Sequence, residues 1–381
     1  MDLRSNAETS AAEVTRRRLI SKTYLRNTWY VVSWADELSP GVLLPRTILN
    51  ERLVLFRKED GTVAALVDRC AHRAAPLHTG KLLSGDRIEC PYHGLVFGPQ
   101  GTCVLNPHGD GRIVPMNRVR AYTVVEKHRA LWIWMGNDEP DLEAIPDFSV
   151  LDTSDEMAIT KLDGITIKAN YELLTDNLLD LSHASYLHDG ILGNDEMVDA
   201  ETTAIQDGNS LTVGRSSRAA PIPGMFAKLL PGNFARVDKW NTIRWTAPSN
   251  LLLKTGVVPP DGEPETGTGY YGIHFLTPET DETTRYHFTA VRWNILTVGD
   301  ELNRKLLTEI STMRRFAFAE QDAPVIEMQQ ERIEQATVDF NIVMLSIDVG
   351  PARYKRILER LIREEADRET VREDSAAKAA E

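Results

Sequence analysis

The sequence has 381 residues, a formal net charge of −13 and 42% hydrophobic residues. The length predicts two domains, and the composition is typical of a soluble globular protein. The acidic balance argues against nucleic-acid binding, because phosphate contacts need a basic surface, and no apolar run is long enough to span a membrane.

Residues 1–24 predict a flexible leader. Arg16–Arg18 could suggest a twin-arginine export signal, but the residues that follow include Lys22 and Arg26 and contain no apolar signal segment. Three cysteines are too few for a disulfide framework. We therefore expect a cytoplasmic protein.

Short apolar runs such as Leu53–Phe56 alternate with turn signals between Trp29 and Trp134. Regularly spaced short strands predict a small antiparallel β domain, over residues 25–140. The polar, proline-marked stretch 137–146 then predicts a domain boundary.

The second predicted domain covers residues 147–365 and mixes helices with strand-like runs. Its first helix has Leu174, Leu178 and Leu181 on one face. Residues 366–381 are highly charged and predict a flexible tail. The predicted helices are Tyr171–His183, Glu301–Gln321, Val325–Ala336 and Ala352–Glu365.

A first metal motif consists of Cys70 and His72, then seventeen residues, then Cys90 and His93. The two-residue step from cysteine to histidine is short for one ion but natural if each residue reaches a different metal. Two thiolates on one iron and two imidazoles on the other form a Rieske 2Fe–2S centre. The motif therefore predicts such a cluster.

Two other interpretations of this motif are weaker. A Cys₂His₂ zinc site has both cysteines first, two to four residues apart, whereas here the ligand types alternate. Ordinary core residues would produce both spacings only by accident. Cys103 is interpreted as a small buried apolar residue, and His78 and His108 as ordinary loop histidines.

A second motif contains Asn177, Asp180, His183 and His188. On a helix the first three share a face, whereas His188 binds the same metal as His183 only if the helix ends or bulges between them. Two histidines and one carboxylate form the facial triad of non-haem Fe(II) oxygenases, which leaves positions open for O₂.

The carboxylate of the triad must come from elsewhere in the chain. Asp322 is the favoured candidate, because Pro324 cannot continue the preceding helix and so places Asp322 at a helix break. Glu320 and Glu327 are the alternatives.

Gly267–Gly272 matches the G-x-G-x-x-G pattern of dinucleotide-binding proteins. It follows a loop and precedes a strand-like run, which is the reverse of the context that a Rossmann fold requires. We therefore expect neither NADH nor flavin to bind here. The electrons should come from a separate NAD(P)H-dependent reductase of flavin or ferredoxin type.

Together these motifs resemble the oxygenase (alpha) subunits of Rieske non-haem iron oxygenases, over about residues 25–365. Thr28–Val32, His274–Thr280 and the Asp322 segment are similar to the branch of vanillate and dicamba O-demethylases. The resemblance implies an α+β protein with an N-terminal antiparallel β Rieske domain and a C-terminal helix-grip catalytic domain.

The resemblance also implies an assembly and an activity. It implies a head-to-tail homotrimer in which Asp180, placed with Asn177 in the catalytic machinery, bridges His183 and the neighbouring subunit's cluster histidine, matching His93. The implied reaction uses O₂ to monooxygenate a small aromatic substrate, by O- or N-dealkylation with release of formaldehyde. We expect His274 to contact that substrate, and Met225, Phe226, Phe234 and Trp240 are candidates for an apolar pocket, although ordinary core packing also explains them.

Other functions stay open from the sequence. Cis-dihydroxylation of a ring is the alternative reaction. A Rieske electron carrier would need neither the residues beyond Pro146 nor the second motif, and a zinc hydrolase would have no visible chromophore.

Overall fold

The computed structural model describes residues 20–336 and 343–380. The N-terminal part consists of short antiparallel strands, as predicted, in three sheets with the orders β1-β11-β10, β2-β3-β4-β9 and β5-β6-β7-β8. The strands are β1 Trp29–Trp34, β2 Leu44–Ile48, β3 Glu51–Arg57, β4 Val63–Val67, β5 Lys81–Leu83, β6 Arg87–Glu89, β7 Val96–Phe97, β8 Cys103–Leu105, β9 Ala121–Tyr122, β10 Val124–Lys127 and β11 Ala130–Trp134.

The C-terminal part is built on one seven-stranded antiparallel sheet in the order β12-β18-β17-β16-β15-β14-β13. Alternate residues of each strand point to opposite faces of the sheet. Helices of this part pack against strands β14 and β17. This arrangement confirms the predicted α+β fold class. The strands are β12 Asp163–Ile167, β13 Glu201–Asp207, β14 Ser210–Pro221, β15 Arg236–Thr246, β16 Asn250–Val258, β17 Thr268–Thr280 and β18 Thr283–Trp293.

Six α-helices, one π-helical segment and several short 3-10 helices complete the described fold. None of these helices is long and apolar enough to cross a membrane. The helices are α1 Val150–Thr153, α2 Tyr171–Leu179, α3 Gly224–Ala227, α4 Asp300–Phe316, the π segment Ala317–Asp322, α5 Ala323–Glu334 and α6 Val349–Ala380.

Several predicted helix ends are wrong. Helix α2 ends at Leu179 rather than at His183. The last helix continues past Glu365 to Ala380, through the residues predicted to form a flexible tail. Within the predicted leader, Tyr24 is 8% exposed and belongs to the core; residues 1–19 of that leader lie outside the described residues.

Aromatic side chains join the two parts of the molecule. Phe275 of β17 packs against Trp34, Trp132 and Phe148, with ring centroids 5.5, 5.2 and 4.7 Å away. The Trp34 indole also donates a hydrogen bond of 2.8 Å to the carbonyl of Asp163. These rings are almost fully buried and form one apolar cluster, so the N-terminal sheets pack directly on the seven-stranded sheet.

The segment that precedes β1 is held by an acidic side chain of α6. The Glu365 carboxylate is 4% exposed and accepts hydrogen bonds from the backbone N–H groups of Arg26, at 2.8 Å, and Asn27, at 2.6 Å. These bonds satisfy two donors that no strand partner satisfies.

Glu365→Ala should therefore destabilise the protein by about 2 kcal/mol or more, since each buried donor left unpaired costs roughly 1–3 kcal/mol. Thermal unfolding measures the effect. Glu364→Ala is the matched control, because Glu364 is exposed and forms an ion pair with Arg360 of the same helix. Equal melting temperatures for the two variants would show that the Glu365 contacts do not anchor the segment.

Candidate metal centres

The loops that follow β4 and β6 carry the first motif. Each loop closes through the same pair of backbone hydrogen bonds, in which the cysteine N–H donates five residues ahead and the cysteine carbonyl accepts from four residues ahead. The fourth residues, Ala74 and Gly94, have φ of 56° and 69°. This repeated turn brings Cys70 and Cys90 to equivalent places on the two loops.

The four side chains of this motif are segregated by depth. Cys70 and Cys90 are 3% and 2% exposed, whereas His72 is exposed and its ring lies 4.6 Å from that of His93. Burial, together with the neighbouring Cys90, raises the pKa of the Cys70 thiol to about 11. A thiolate at this depth needs a cation beside it, so the four residues fit a cluster with buried sulfur and surface imidazole ligands.

The two loop histidines outside the motif support these loops. His108 Nε2 lies 2.8 Å from the His93 carbonyl oxygen. Asp68 is buried and accepts a 2.8 Å hydrogen bond from the His78 N–H, and its other oxygen contacts the His78 ring. Cys103 is buried among apolar residues. His78 and His108 therefore support the two loops, and Cys103 is a core residue.

His183, His188 and Asp322 form the second cluster, with their ligand atoms all within 4.8 Å of one another. The Nε2 atoms of His183 and His188 lie 3.7 and 3.2 Å from Asp322 Oδ1. Two imidazoles and one carboxylate at this spacing fit a mononuclear metal with open coordination positions.

Three hydrogen bonds orient these side chains. His183 Nδ1 contacts the backbone carbonyl of Asp180, and His188 Nδ1 lies 2.9 Å from Gln321 Oε1. An Nδ1–H that donates to an oxygen leaves the Nε2 lone pair free for a metal. Asn177 Nδ2 donates to Asp322 Oδ1 at 3.1 Å and so holds the carboxylate. Gln321 was missed by sequence reasoning, since only the fold brings it to His188.

Asp180 caps the end of helix α2, so Asn177, Asp180 and His183 do not share one helical face as predicted. Its N–H closes the last turn on the Asp176 carbonyl, and its carboxylate Oδ1 accepts a 2.9 Å hydrogen bond from the Ser182 N–H. This local side-chain turn competes with the helix and stops it. The chain then turns through His183–Ser185, and His183 meets the backbone of Asp180 rather than its carboxylate.

Asp322 lies in a π-helical segment, and the helix break predicted there is wrong. Helices α4 and α5 are continuous through the segment, and Pro324 lies in the first turn of α5. The wider turn directs Asp322, 4% exposed, towards the histidines. Glu320 is exposed, and Glu327 accepts a hydrogen bond from the Lys168 N–H, so neither alternative joins the triad.

A largely apolar cavity adjoins the triad. It measures about 80 Å³, so an aromatic ligand must displace some of the side chains around it. Alternate residues of β15, namely Lys239, Asn241 and Ile243, face it, as do Tyr270 and His274 of β17. The full lining is Asn177, Leu178, Leu181, His183, Ala184, His188, Leu192, Phe226, Lys239, Asn241, Ile243, Leu253, Tyr270, His274, Arg314, Phe318 and Asp322.

Of the residues predicted for the pocket, His274 and Phe226 line the cavity. Trp240 follows Lys239 and so faces away from it, and Phe234 is 37% exposed. Met225 is fully buried in the core beside the cavity. Sequence reasoning missed the polar lining from Lys239, Asn241 and Arg314, because a single strand or helix does not show which face will meet the triad.

The G-x-G-x-x-G segment leads into β17, which contains Gly269 and Gly272, so it has no Rossmann context. Its last glycine has a packing role. A Cβ at Gly272 would lie 2.8 Å from His274 Nε2 and 3.4 Å from Arg314 Nη2. Gly272 thus leaves room for two polar side chains beside the cavity.

Comparison with known proteins identifies both parts of the chain. Residues 28–123 match the Rieske [2Fe-2S] domain, and residues 167–364 match the vanillate O-demethylase oxygenase C-terminal domain. The oxygenase component of dicamba O-demethylase from Stenotrophomonas maltophilia is 37% identical, over 90% of this chain and 99% of the relative. The oxygenase component of chloroacetanilide N-alkylformylase from Rhizorhabdus wittichii is 35% identical, over 71% and 77%. A crystal structure of dicamba monooxygenase with non-heme iron and dicamba matches with a TM-score of 0.73 at 34% identity, over 91% of this chain and 99% of that one.

Asp322→Ala should lower the iron content from three to two atoms per chain, since it removes one carboxylate of the mononuclear site and leaves the cluster ligands intact. Metal analysis and the visible absorption spectrum test this. Glu320→Ala, two residues away and exposed, is the control. Loss of one iron in Glu320→Ala but not in Asp322→Ala would identify Glu320 as the ligand.

Proposed function

This chain belongs to the Rieske non-haem iron oxygenases with a vanillate O-demethylase-type catalytic domain, and from that membership we propose that it removes an O- or N-linked alkyl group from a small aromatic substrate. It is the terminal oxygenase component of a multicomponent system and depends on a separate reductase. The observation that carries the proposal is the His183–His188–Asp322 triad beside a largely apolar cavity. We assign residues 25–140 and 147–365 to the two domains and place the protein in the cytoplasm, since its three cysteines are free.

We assign the cluster to Cys70, His72, Cys90 and His93, and the mononuclear Fe(II) to the triad. When bound, the cluster supplies electrons and the mononuclear iron activates O₂. The chain contributes the orientation of the ligands. Gln321 and the Asp180 carbonyl fix the imidazole rings, and Asn177 fixes the carboxylate.

The cavity residues bind the substrate and exclude water. Apolar side chains such as Leu178, Leu253 and Phe318 surround an aromatic ring without competing for the metal. His274 is 2% exposed and its Nδ1 contacts the Tyr286 hydroxyl, which leaves Nε2 facing the cavity. His274 therefore positions a polar substituent of the ring.

The reaction balances as a two-electron monooxygenation. One oxygen atom of O₂ enters a C–H bond of the alkyl carbon next to oxygen or nitrogen, and the other leaves as water with two electrons and two protons. A methyl group gives a hemiacetal or carbinolamine, which breaks its C–O or C–N bond to release formaldehyde and leave a phenol or an amine.

We further propose the head-to-tail homotrimer. The cluster histidines lie at the surface beside Tyr92, 60% exposed, and Tyr186 between the triad histidines is 74% exposed. Exposed aromatic side chains of this kind are enriched at protein interfaces. Asp180 is partly exposed near Tyr186, so its carboxylate is available to a cluster histidine of a neighbouring subunit.

Asp180→Asn should retain both metal centres and the trimer but lose at least about tenfold in turnover, because a neutral amide is a weaker partner than a carboxylate for the cluster imidazole of the neighbouring subunit. Metal analysis, sedimentation and the turnover rate test this together. Asp189→Asn, an exposed acid of the same loop, is the control. Unchanged turnover in Asp180→Asn would rule out the bridging role.

The reaction is tested by supplying O- and N-methyl aromatics with a surrogate reductase and NADH. We expect formaldehyde in proportion to the demethylated product. Formation of a cis-dihydrodiol without formaldehyde, from the best substrate found, would contradict dealkylation. It would show instead that the enzyme oxygenates the aromatic ring.

A further inference from the structure

A second cavity, the junction cleft, lies between the two parts of the molecule and away from both metal centres. It measures about 390 Å³, against about 80 Å³ for the cavity beside the triad, and is of the size that holds small molecules. Its walls come from β2, β3, the loop after β4, the end of β17 and β18. Pro45 is the one apolar residue among them, and the others are polar or charged, with three arginines.

Most acids of this region are already engaged. Asp68 accepts a 2.8 Å hydrogen bond from the His78 N–H and contacts the His78 ring. Glu37, behind the cleft, pairs with both Arg46, at 2.5 Å, and Arg285, at 3.5 Å. One carboxylate therefore serves two arginines and compensates only part of their charge.

Glu279 does not complete the compensation. Its carboxyl group makes no hydrogen bond to the described residues, and burial raises its pKa although Arg285 and Arg46 act in the opposite direction. A carboxyl group with a raised pKa takes up a proton more readily, and the protonated form donates a hydrogen bond. Glu279 can thus accompany a bound oxyanion rather than repel it.

The arginines keep donors that no protein group uses. Arg285 Nε is buried and has no hydrogen-bond partner among the described residues. Arg52 is exposed at the cleft, and within residues 20–336 and 343–380 its guanidinium makes no hydrogen bond or ion pair. Thr47 lies directly opposite Arg52 in the β2–β3 pair, so that both side chains lie on one side of the hairpin. The cleft thus offers donors from both parts of the molecule.

A buried histidine behind the cleft shows that its positive charge is not compensated. His287 lies two residues after Arg285 on the same face of β18, is 0% exposed, and has no partner for either ring nitrogen among the described residues. Burial, followed by Arg285 and Arg46, lowers the pKa of His287 well below its usual range. No described acid opposes these two arginines there, so the junction favours a negatively charged ligand.

We propose that the junction cleft binds a doubly charged oxyanion, a phosphate monoester or a dicarboxylate, through Arg52, Arg285 Nε and the Thr47 hydroxyl. Guanidinium groups pair with carboxylate and phosphate oxygens through planar, charge-assisted hydrogen bonds. A ligand held between β3 and β18 links the N-terminal sheets to the seven-stranded sheet. The site contains no proposed metal ligand, so the inference does not depend on the proposed dealkylation.

Calorimetric titration of the iron-loaded protein at constant ionic strength tests the proposal. The probes are glycerol 3-phosphate, succinate, acetate and uncharged glycerol. We expect the better of the two dianions to bind one per chain, at least about tenfold more tightly than acetate, and glycerol not to bind. The two dianions distinguish a phosphate ester from a dicarboxylate. Bound dianion should also raise the melting temperature, because it binds only the folded protein.

Variants on both sides of the cleft locate the binding. Arg52→Gln should weaken binding of the dianion at least about tenfold without lowering the melting temperature of the free protein, since this exposed side chain pairs with no described residue. Arg285→Lys keeps a positive charge near Glu37 but lacks the Nε donor, and should weaken binding as well. Arg118→Gln removes an exposed arginine of the N-terminal part that lies outside the cleft, and should change nothing.

One further variant excludes binding of the dianion to the mononuclear iron. Asp322→Ala should bind the dianion as tightly as the wild-type protein, because the triad does not line the junction cleft. Loss of binding in Asp322→Ala would place the anion at the triad and overturn the proposal. Absence of saturable binding by either dianion, or unchanged binding in Arg52→Gln, would overturn it too.

Discussion

The buried carboxylate of Asp322 is the constraint on which the catalytic half of the molecule depends. It is 4% exposed, and among the described residues its charged partners are the imidazoles of His183 and His188, with no lysine or arginine. A carboxylate at this depth needs a cation. The π-helical segment and the turn after α2 bring the three side chains together. The hydrogen bond that Asn177 donates to Asp322, and the one that Gln321 accepts from His188, orient them for a metal cation.

The pairs of proposed ligands could be predicted from the sequence, because short spacings within a loop translate directly into proximity. Cys70 with His72, Cys90 with His93, and His183 with His188 are pairs of this kind. The identity of Asp322 was also predicted, although for a wrong reason, since helices α4 and α5 do not break before Pro324. Helix propensities do not reveal a π-helical segment in a sequence, because such a segment depends on how the helix packs against the sheet.

The polar lining of the cavity could not be predicted in the same way. Lys239 lies in a strand whose neighbours give no sign of which face meets the metal site, and Arg314 lies in a helix rich in charged residues. Strand register and the position of α4 above the sheet bring both to one cavity. Non-local placement also explains Glu365, whose role in holding the N-terminal segment is invisible in the sequence.

The reduced protein should contain both the electrons and the site that one dealkylation needs. A single turnover without reductase tests this most directly. The protein is reduced, freed of reductant and mixed with O₂ and the best methoxyaromatic substrate. We predict about one formaldehyde for each mononuclear iron, together with reoxidation of the cluster. Reoxidation of the cluster at the same rate and without formaldehyde would contradict the account.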